Sequence, residues 1–115
     1  MSESMKFWNS VLNAWVEPSE WQKELKIGDF YAIYPNRIVM GKQFFPAPTV
    51  YGLITNDEDC EPGYFFVEAF SQWMPDGDIG EFCICDATHR LTEEQFEEAQ
   101  AAGWPEDINT ILGND

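Results

Sequence analysis

The chain has 115 residues, of which 44% are hydrophobic, and its formal net charge is −15. This length allows one domain with one core, and the apolar fraction is sufficient for that domain to fold. A net charge of this size repels nucleic acids and anionic membranes and attracts basic proteins. We therefore expect a basic protein partner, with no direct nucleic-acid binding and no membrane binding.

The acidic residues are concentrated in the later part of the chain. Residues 1–42 contain five acids and five bases, whereas residues 43–115 contain sixteen acids and one base, Arg90. All the net charge therefore belongs to the second part. An alternative is that the acidic residues only keep the protein soluble and bind no partner, and this alternative stays open.

The sequence predicts a cytoplasmic protein. Polar residues such as Lys6 and Asn9 interrupt the apolar residues near the N-terminus, which argues against a signal peptide. No apolar run approaches the roughly 20 residues of a membrane-spanning helix. Three cysteines cannot all pair within one chain, so we expect reduced thiols.

Residues 1–25 are predicted to be helical. Apolar residues at helical spacing predict a first helix over 4–16. They are Met5, Trp8, Leu12 and Trp15. Pro18 either ends that helix or starts the next segment, and a short second helix over 18–25 is expected to turn Trp21 toward the core.

Residues 26–90 are predicted to form a sheet. An extended run over 30–34 is followed by a short edge strand over 38–40. Runs rich in aromatic and β-branched residues, separated by turn-forming clusters, predict three central strands over 50–55, 64–71 and 80–87. Apolar residues on both faces of the second of these strands indicate that the sheet is covered on both sides. Segment 44–48 is predicted to be a loop, because its two prolines cannot donate to a ladder.

Residues 91–115 are predicted to form a helix and a tail. Thr92 and Gln95 have the spacing of a capping box, and Gly103 is suited to a left-handed helix end. The tail is expected to add one helical turn whose apolar side is formed by Ile108, Ile111 and Leu112.

These elements predict a single α+β domain over residues 1–115. We expect a small, strongly bent antiparallel sheet or SH3-like barrel of about five strands. An N-terminal helix and a C-terminal helix are expected to flank it.

The three cysteines and the single histidine are the candidates for a metal or catalytic site. Cys60, Cys83, Cys85 and His89 have the number and type of ligands that zinc prefers. On a strand over 80–87, the thiols of Cys83 and Cys85 would point to one face. However, zinc-binding pairs usually have two or more residues between the cysteines, and buried cysteine is commonly a small hydrophobe. We assign no catalytic residue, metal ligand or cofactor, and a small Cys/His metal-dependent module stays an alternative.

The acidic residues are the candidates for partner binding. We expect two loops and the last helix to form one continuous negative surface. The residues concerned are Asp57, Glu58, Asp59 and Glu61, then Asp76, Asp78 and Glu81, and finally Glu93, Glu94, Glu97 and Glu98. Such a surface fits the basic cleft of a nuclease, a toxin or a nucleic-acid-binding protein. The expected function is non-enzymatic: an inhibitor, an immunity protein or a decoy that imitates DNA.

A second alternative uses the aromatic surplus of the sequence. The chain contains five Trp, four Tyr and nine Phe, more rings than a small core hides. Exposed rings, among them Phe44, Phe45 and Trp73, would let the protein dock on other subunits as an assembly component. A homo-oligomer is compatible with this interpretation.

Overall fold

The computed structural model describes residues 7–9 and 14–113. Within these residues the chain forms nine strands and three helices. In chain order they are β1 (Phe7–Asn9), β2 (Ala14–Val16), α1 (Glu20–Lys23), β3 (Phe30–Ile33), β4 (Asn36–Met40), β5 (Gln43–Ala47), β6 (Val50–Asn56), β7 (Tyr64–Phe70), β8 (Asp78–Cys83), β9 (His89–Leu91), α2 (Glu93–Ala101) and α3 (Asn109–Leu112). A 3-10 turn over Ile84–Asp86 follows β8.

Five strands form one antiparallel sheet in the order β8–β7–β6–β3–β9. Two separate two-stranded ladders join β1 to β2 and β4 to β5. The predicted α+β class and the antiparallel sheet are confirmed. The sheet does not close into a barrel, because the chain after β8 turns away and β9 pairs with β3 at the far edge.

The predicted N-terminal helix is wrong wherever its residues are described. Phe7–Asn9 and Ala14–Val16 form an antiparallel ladder in which Trp8 lies opposite Trp15. Aromatic and β-branched residues favour strands, and here that preference prevails over the helical spacing of the apolar residues. The rest of the predicted helix, residues 4–6 and 10–13, lies outside the described residues.

The short second helix is confirmed as α1. Leu25, just after it, is buried, and Trp21 packs against the same core cluster. The buried amide of Gln22 donates from Nε2 to the carbonyl oxygen of Ala87 at 2.8 Å. This bond ties α1 to the segment that follows β8.

Segment 44–48, predicted to be a loop, belongs mostly to strand β5. This strand pairs with β4 along its whole length, and Pro46 lies opposite Arg37. A ladder of two strands leaves one side of each strand free, so a residue without an N–H group is tolerated there. The predicted edge strand over 38–40 is confirmed within β4.

Two of the three predicted central strands are confirmed, as β6 and β7. The third is shorter than predicted, because β8 ends at Cys83 and Ile84–Asp86 form the 3-10 turn. Contacts from distant residues hold this turn: Gln22 Nε2 also lies 3.3 Å from the Cys85 carbonyl oxygen, and the Ile84 amide donates to Gly63. Such contacts are not visible in the local sequence.

Both faces of the sheet are covered, as predicted. On one face, Tyr31, Ile54, Val67 and Phe82 form a cluster with residues of α1 and the 3-10 turn. On the other face, α2, α3 and Trp104 cover the two fully buried residues Ala32 and Tyr51. Stacked rings join strand to strand and strand to helix, with centroid distances of 4.0 Å for Tyr31–Phe82 and 4.7 Å for Phe70–Trp104.

The C-terminal helix is confirmed, including both of its caps. Thr92 Oγ1 accepts from the Gln95 amide at 3.1 Å, and Gln95 Oε1 accepts from the Thr92 amide at 2.8 Å. Gly103 follows the helix with φ of 79°. The amide of Trp104 then donates to Ala99 at 2.8 Å, which completes a Schellman-type end. The predicted final turn is confirmed as α3, with Ile108 and Ile111 buried.

Candidate functional site

All eleven acidic residues predicted to bind a partner are exposed. Four lie in the β6–β7 loop, three lie in or beside β8, and four lie on α2. Their exposure follows from their positions, since loops, an edge strand and the outer side of a helix face water. The carboxylates are therefore available to a partner.

The β6–β7 loop and strand β8 contribute acids to the same end of the sheet. Glu81 in β8 lies opposite Phe66, near the start of β7. Burial, together with the carboxylates of Glu81, Asp57 and Asp59, raises the pKa of the Cys60 thiol. Carboxylates from two separate segments therefore lie close enough to act on one group.

The remaining acids of the β8 region lie toward the opposite end of β7. Asp78 is opposite Ala69, and Asp76 precedes it in the β7–β8 connection. The seven residues of β7 span about 20 Å, at about 3.3 Å per residue. Acids therefore border β8 from one end to the other, rather than clustering in a single loop.

The acids of α2 lie on its outer side. Phe96 and Ala99 are buried against the sheet, so the four glutamates of the helix face away from it. The structure thus places the predicted residues along the edge strand β8 and along the exterior of α2. Continuity between these two regions stays a prediction.

None of these eleven carboxylates forms an ion pair with a base among the described residues. The three ion pairs in that part of the chain use Glu20 and Asp29 as their acids. Arg90, the one base after residue 42, points back to Asp29 with Nη2 3.3 Å from Oδ2. The negative field of the second part is therefore not neutralised by the described bases.

Strand β8 presents unpaired backbone groups as well as charge. The Ile84 amide donates to the carbonyl oxygen of Gly63. Together with the register of the two strands, this bond shows which residues of β8 direct their N–H and C=O groups toward β7. By the alternation of an antiparallel ladder, Phe82 and Gly80 bond to β7, while Ile79 and Glu81 direct their backbone groups outward. No described strand pairs with that side. The Ile79 side chain is also 73% exposed.

A hollow of about 210 Å³ lies beside β8, on the face of the sheet that carries Tyr31. Val67, Ala69 and Met74 contribute to its apolar lining, and Asp78 and Asp86 contribute carboxylates. Gly80 also lines it, and a β-carbon added there would meet no atom within 4 Å. The hollow therefore combines an apolar floor with negative charge and an open side.

The β4–β5 hairpin exposes apolar rings, as the alternative hypothesis predicts. Phe44 and Phe45 are 48% and 40% exposed, and the guanidinium carbon of Arg37 lies 4.4 Å from the centre of the Phe44 ring. A groove of about 590 Å³ separates this hairpin from the segment around Cys85. Trp73, 65% exposed, borders a second cleft of about 430 Å³.

The cysteines and the histidine do not form a metal centre. In the described part of the chain, no group of three or more His, Cys, Asp or Glu side chains is arranged to hold a metal ion. Cys83 ends β8 and Cys85 lies in the 3-10 turn, so the prediction that one strand carries both is wrong. The Cys85 thiol donates to the carbonyl oxygen of Val16 at 3.8 Å. Burial raises the pKa of both thiols, that of Cys85 to about 12, which disfavours the nucleophilic thiolate.

The histidine is likewise held by its neighbours. His89 Nδ1 lies 2.8 Å from Thr88 Oγ1, and burial lowers the pKa of the imidazole. The Thr88 hydroxyl in turn donates to the Ala32 carbonyl at 3.0 Å and accepts from the Tyr34 amide at 2.8 Å. These contacts fix the start of β9 against β3. The imidazole of His89 is therefore part of the packing between these two strands.

Sequence reasoning missed the edge of β8. Ile79 and Gly80 carry no local signature of binding, because an exposed isoleucine and a strand glycine are common in proteins of every function. In the sequence, Asp78 precedes Ile79 and Glu81 follows Gly80. Charged residues at such positions are typical of an edge strand that is protected against aggregation. Only the pairing order shows that this strand is an edge.

No protein family model, no curated protein and no solved structure matches this chain. Among the described residues, no helix has the length and apolar character needed to cross a membrane.

Proposed function

We propose that this chain is a non-enzymatic acidic binding protein that engages a basic protein surface. Its class is that of inhibitors, immunity proteins and decoys, which occupy a cleft that otherwise accepts a polyanion. The observation that carries the proposal is the set of eleven exposed carboxylates without an ion-pair partner among the described residues.

The charge of these carboxylates can act on a partner because no described base pairs with them. A carboxylate already paired with a lysine or arginine of its own chain offers little field to a partner. Here no described base pairs with the acids of β8, the β6–β7 loop and α2, so their fields add. Such a field steers a basic partner during diffusion and raises the association rate more than the final affinity.

The cytoplasm is the compartment that this proposal assumes. Cys60, Cys83 and Cys85 are all free thiols, which supports a reducing environment. The basic target would then be a cytoplasmic nucleic-acid-binding protein, nuclease or toxin of the source cell or of its competitors.

A comparison of three forms of the protein tests the proposal. The native chain, a loop variant (D57N/E58Q/D59N/E61Q) and a control variant (E17Q/E20Q/E24Q/E106Q) are used to capture partners from source-cell extract. The two variants remove the same number of charges, from exposed positions inside and outside the predicted set. Captured proteins are identified, purified and titrated at about 0.1 M and about 1 M salt, between which the Debye length falls from about 10 Å to about 3 Å.

We expect a basic partner whose binding weakens at high salt. The loop variant should bind at least about tenfold more weakly, which corresponds to about 1.4 kcal/mol. The control variant should bind almost as the native chain does. Equal weakening by both variants would mean that net charge alone acts, and binding that is independent of salt would contradict the proposal.

The exposed hairpin supports a second candidate, an assembly subunit that docks through aromatic side chains. Ile38, Met40, Phe44 and Phe45 are all exposed on the two strands of this hairpin. By the register of the ladder, Ile38, Met40 and Phe45 share one face, and Phe44 lies on the other. Exposed apolar patches mark protein interfaces. If this candidate is correct, association persists at about 1 M salt, where exposed charges are screened, and the F44S/F45S variant abolishes it.

A further inference from the structure

We infer that the partner presents an extended segment bearing lysine or arginine, which pairs with the outer edge of β8 and inserts a basic side chain into the adjacent hollow. This inference rests on the proposed function and specifies how the basic partner is held. It is carried by the unpaired backbone of β8, the shape of the hollow and the charges around both.

The backbone of β8 is ready to accept another strand. Ile79 and Glu81 each direct one N–H and one C=O away from β7, and no described residue satisfies them. Such an edge binds extended peptides by main-chain hydrogen bonds, as in strand addition. The opposite edge is less suited, since β9 has three residues and leads directly into α2.

The hollow beside β8 fits a long basic side chain. Its volume of about 210 Å³ is several times the roughly 30 Å³ that a water molecule occupies in the liquid. Lysine and arginine bury an aliphatic stem on apolar surface and keep the charged end near polar groups. The lining around Val67, Ala69 and Met74 suits the stem, and the carboxylate of Asp78 suits the charge.

Gly80 leaves the path into the hollow open. It lies between the two outward-facing residues of β8, and a side chain built on it would meet open space. In a strand paired beside β8, side chains alternate between the two faces of the sheet. One of them would therefore pass beside Gly80 toward the hollow, while its neighbours would contact Ile79 and Glu81 on the other face.

Charge distinguishes this occupant from a second copy of the same chain. Pairing two copies of β8 would bring Asp78 and Glu81 of both chains together, on proteins that each carry a net charge of −15. Charged residues on an edge strand normally prevent such self-association. The same carboxylates attract a segment of opposite charge. The edge of β8 therefore disfavours pairing with a second copy of the chain and favours pairing with a basic partner.

A short blocked peptide that alternates lysine with valine is the probe for this inference. One control peptide carries proline in place of the central valine, which removes a main-chain donor, and another carries glutamate in place of every lysine. Titration calorimetry at about 0.1 M salt, where the Debye length is about 10 Å, measures the affinity of the full-length protein for each. Amide hydrogen exchange by NMR locates the contact.

We expect the lysine peptide to slow exchange at the Ile79 and Glu81 amides and to bind at least about tenfold more tightly than the proline peptide, a difference of about 1.4 kcal/mol. The glutamate peptide should not bind. Ile79→Pro removes the outward amide without breaking a bond to β7, so this variant should no longer bind the lysine peptide. Ile79→Ala keeps the amide and should bind the lysine peptide more tightly than Ile79→Pro does. If Ile79→Pro does not fold, Gly80→Leu, which fills the hollow from a position with free space, should weaken binding instead.

Several results would overturn the inference, and they separate it from the proposed function. Equal affinity for the lysine and proline peptides, or protection at α2 or the β4–β5 hairpin, would exclude strand pairing while leaving a basic partner in place. Binding of the glutamate peptide with the same affinity would contradict both. Failure of the lysine peptide to bind, or a dimer of this chain that Ile79→Pro dissociates, would refute pairing of β8 with a basic segment.

Discussion

The ring of Tyr31 lies directly over Gly52, in the neighbouring strand. The two residues face each other across the β3–β6 ladder, and a β-carbon on Gly52 would overlap ring atoms of Tyr31. The ring cannot retreat, because it is buried and stacks on Phe82 with the centroids 4.0 Å apart. The absence of a side chain at position 52 is therefore part of how the core is packed.

Gly52→Ala should destabilise the protein. The added methyl group forces the Tyr31 ring or the strand to move, and overpacking of this kind costs about 1–3 kcal/mol. Urea unfolding followed by circular dichroism measures the loss. Gly80→Ala is the matched control, because an added β-carbon there meets nothing within 4 Å, and its effect should stay within about 0.5 kcal/mol. Equal losses in the two variants would contradict the packing argument.

Thr92→Ala should lower the free energy of unfolding by about 1 kcal/mol, the usual loss for an N-cap. The variant removes the oxygen that accepts from the Gln95 amide at 3.1 Å. Thr92→Ser keeps that oxygen and should retain nearly all the stability. Chemical denaturation of both variants checks the prediction, which would be wrong if serine were as destabilising as alanine.

The Cys60 thiol should report on the acids around it. Because Glu81, Asp57 and Asp59 contribute to its raised pKa, the variant D57N/D59N/E81Q should lower that pKa. The thiolate is the reactive form, so alkylation of Cys60 by iodoacetamide near neutral pH should become faster. Mass spectrometry of the labelled peptides measures the rate at each cysteine separately.

The control for this experiment removes the same number of charges from the helix. The variant E94Q/E97Q/E98Q changes carboxylates that do not contribute to the Cys60 pKa, and it should leave the rate nearly unchanged. Equal acceleration by both variants would show that only net charge matters. Cys83 and Cys85 should react slowly throughout, since burial raises the pKa of both thiols.

Stability should fall on acidification through the pKa of His89. Burial lowers that pKa in the folded state, whereas the unfolded chain has a value of about 6.5. Below about pH 6.5, and down to the folded pKa, the unfolded state binds more protons, so the free energy of unfolding decreases as the pH falls. Urea unfolding of the native protein and of His89→Gln, compared at about pH 7.5 and about pH 5.5 on either side of the unfolded value, measures the effect.

The native protein should lose more stability over this interval than the variant does. The two proteins differ only at position 89, so the difference in their pH dependence isolates the imidazole. An identical pH dependence in the two proteins would exclude a contribution from burial of His89. A larger loss in the variant would reverse the predicted sign.

The local sequence determined the features that depend on residues a few positions apart. The capping box of Thr92 and Gln95 and the helix end at Gly103 were predictable, because each involves contacts within one or two turns. The central strand β7, with apolar residues on both faces, was predictable from composition and alternation. The exposure of the eleven acids was also anticipated, since charged side chains cost too much free energy to bury without partners.

Tertiary contacts decided the rest. Whether β8 is an edge strand depends on where β9 pairs, and β9 pairs with β3, nearly sixty residues earlier in the chain. The end of β8 depends on Gln22, and the presence of Pro46 in a strand depends on that strand having only one neighbour. The sequence therefore determined which residues carry charge and which local turns form. Only the folded chain decided which backbone edge those charges border, because strand order results from contacts between distant segments.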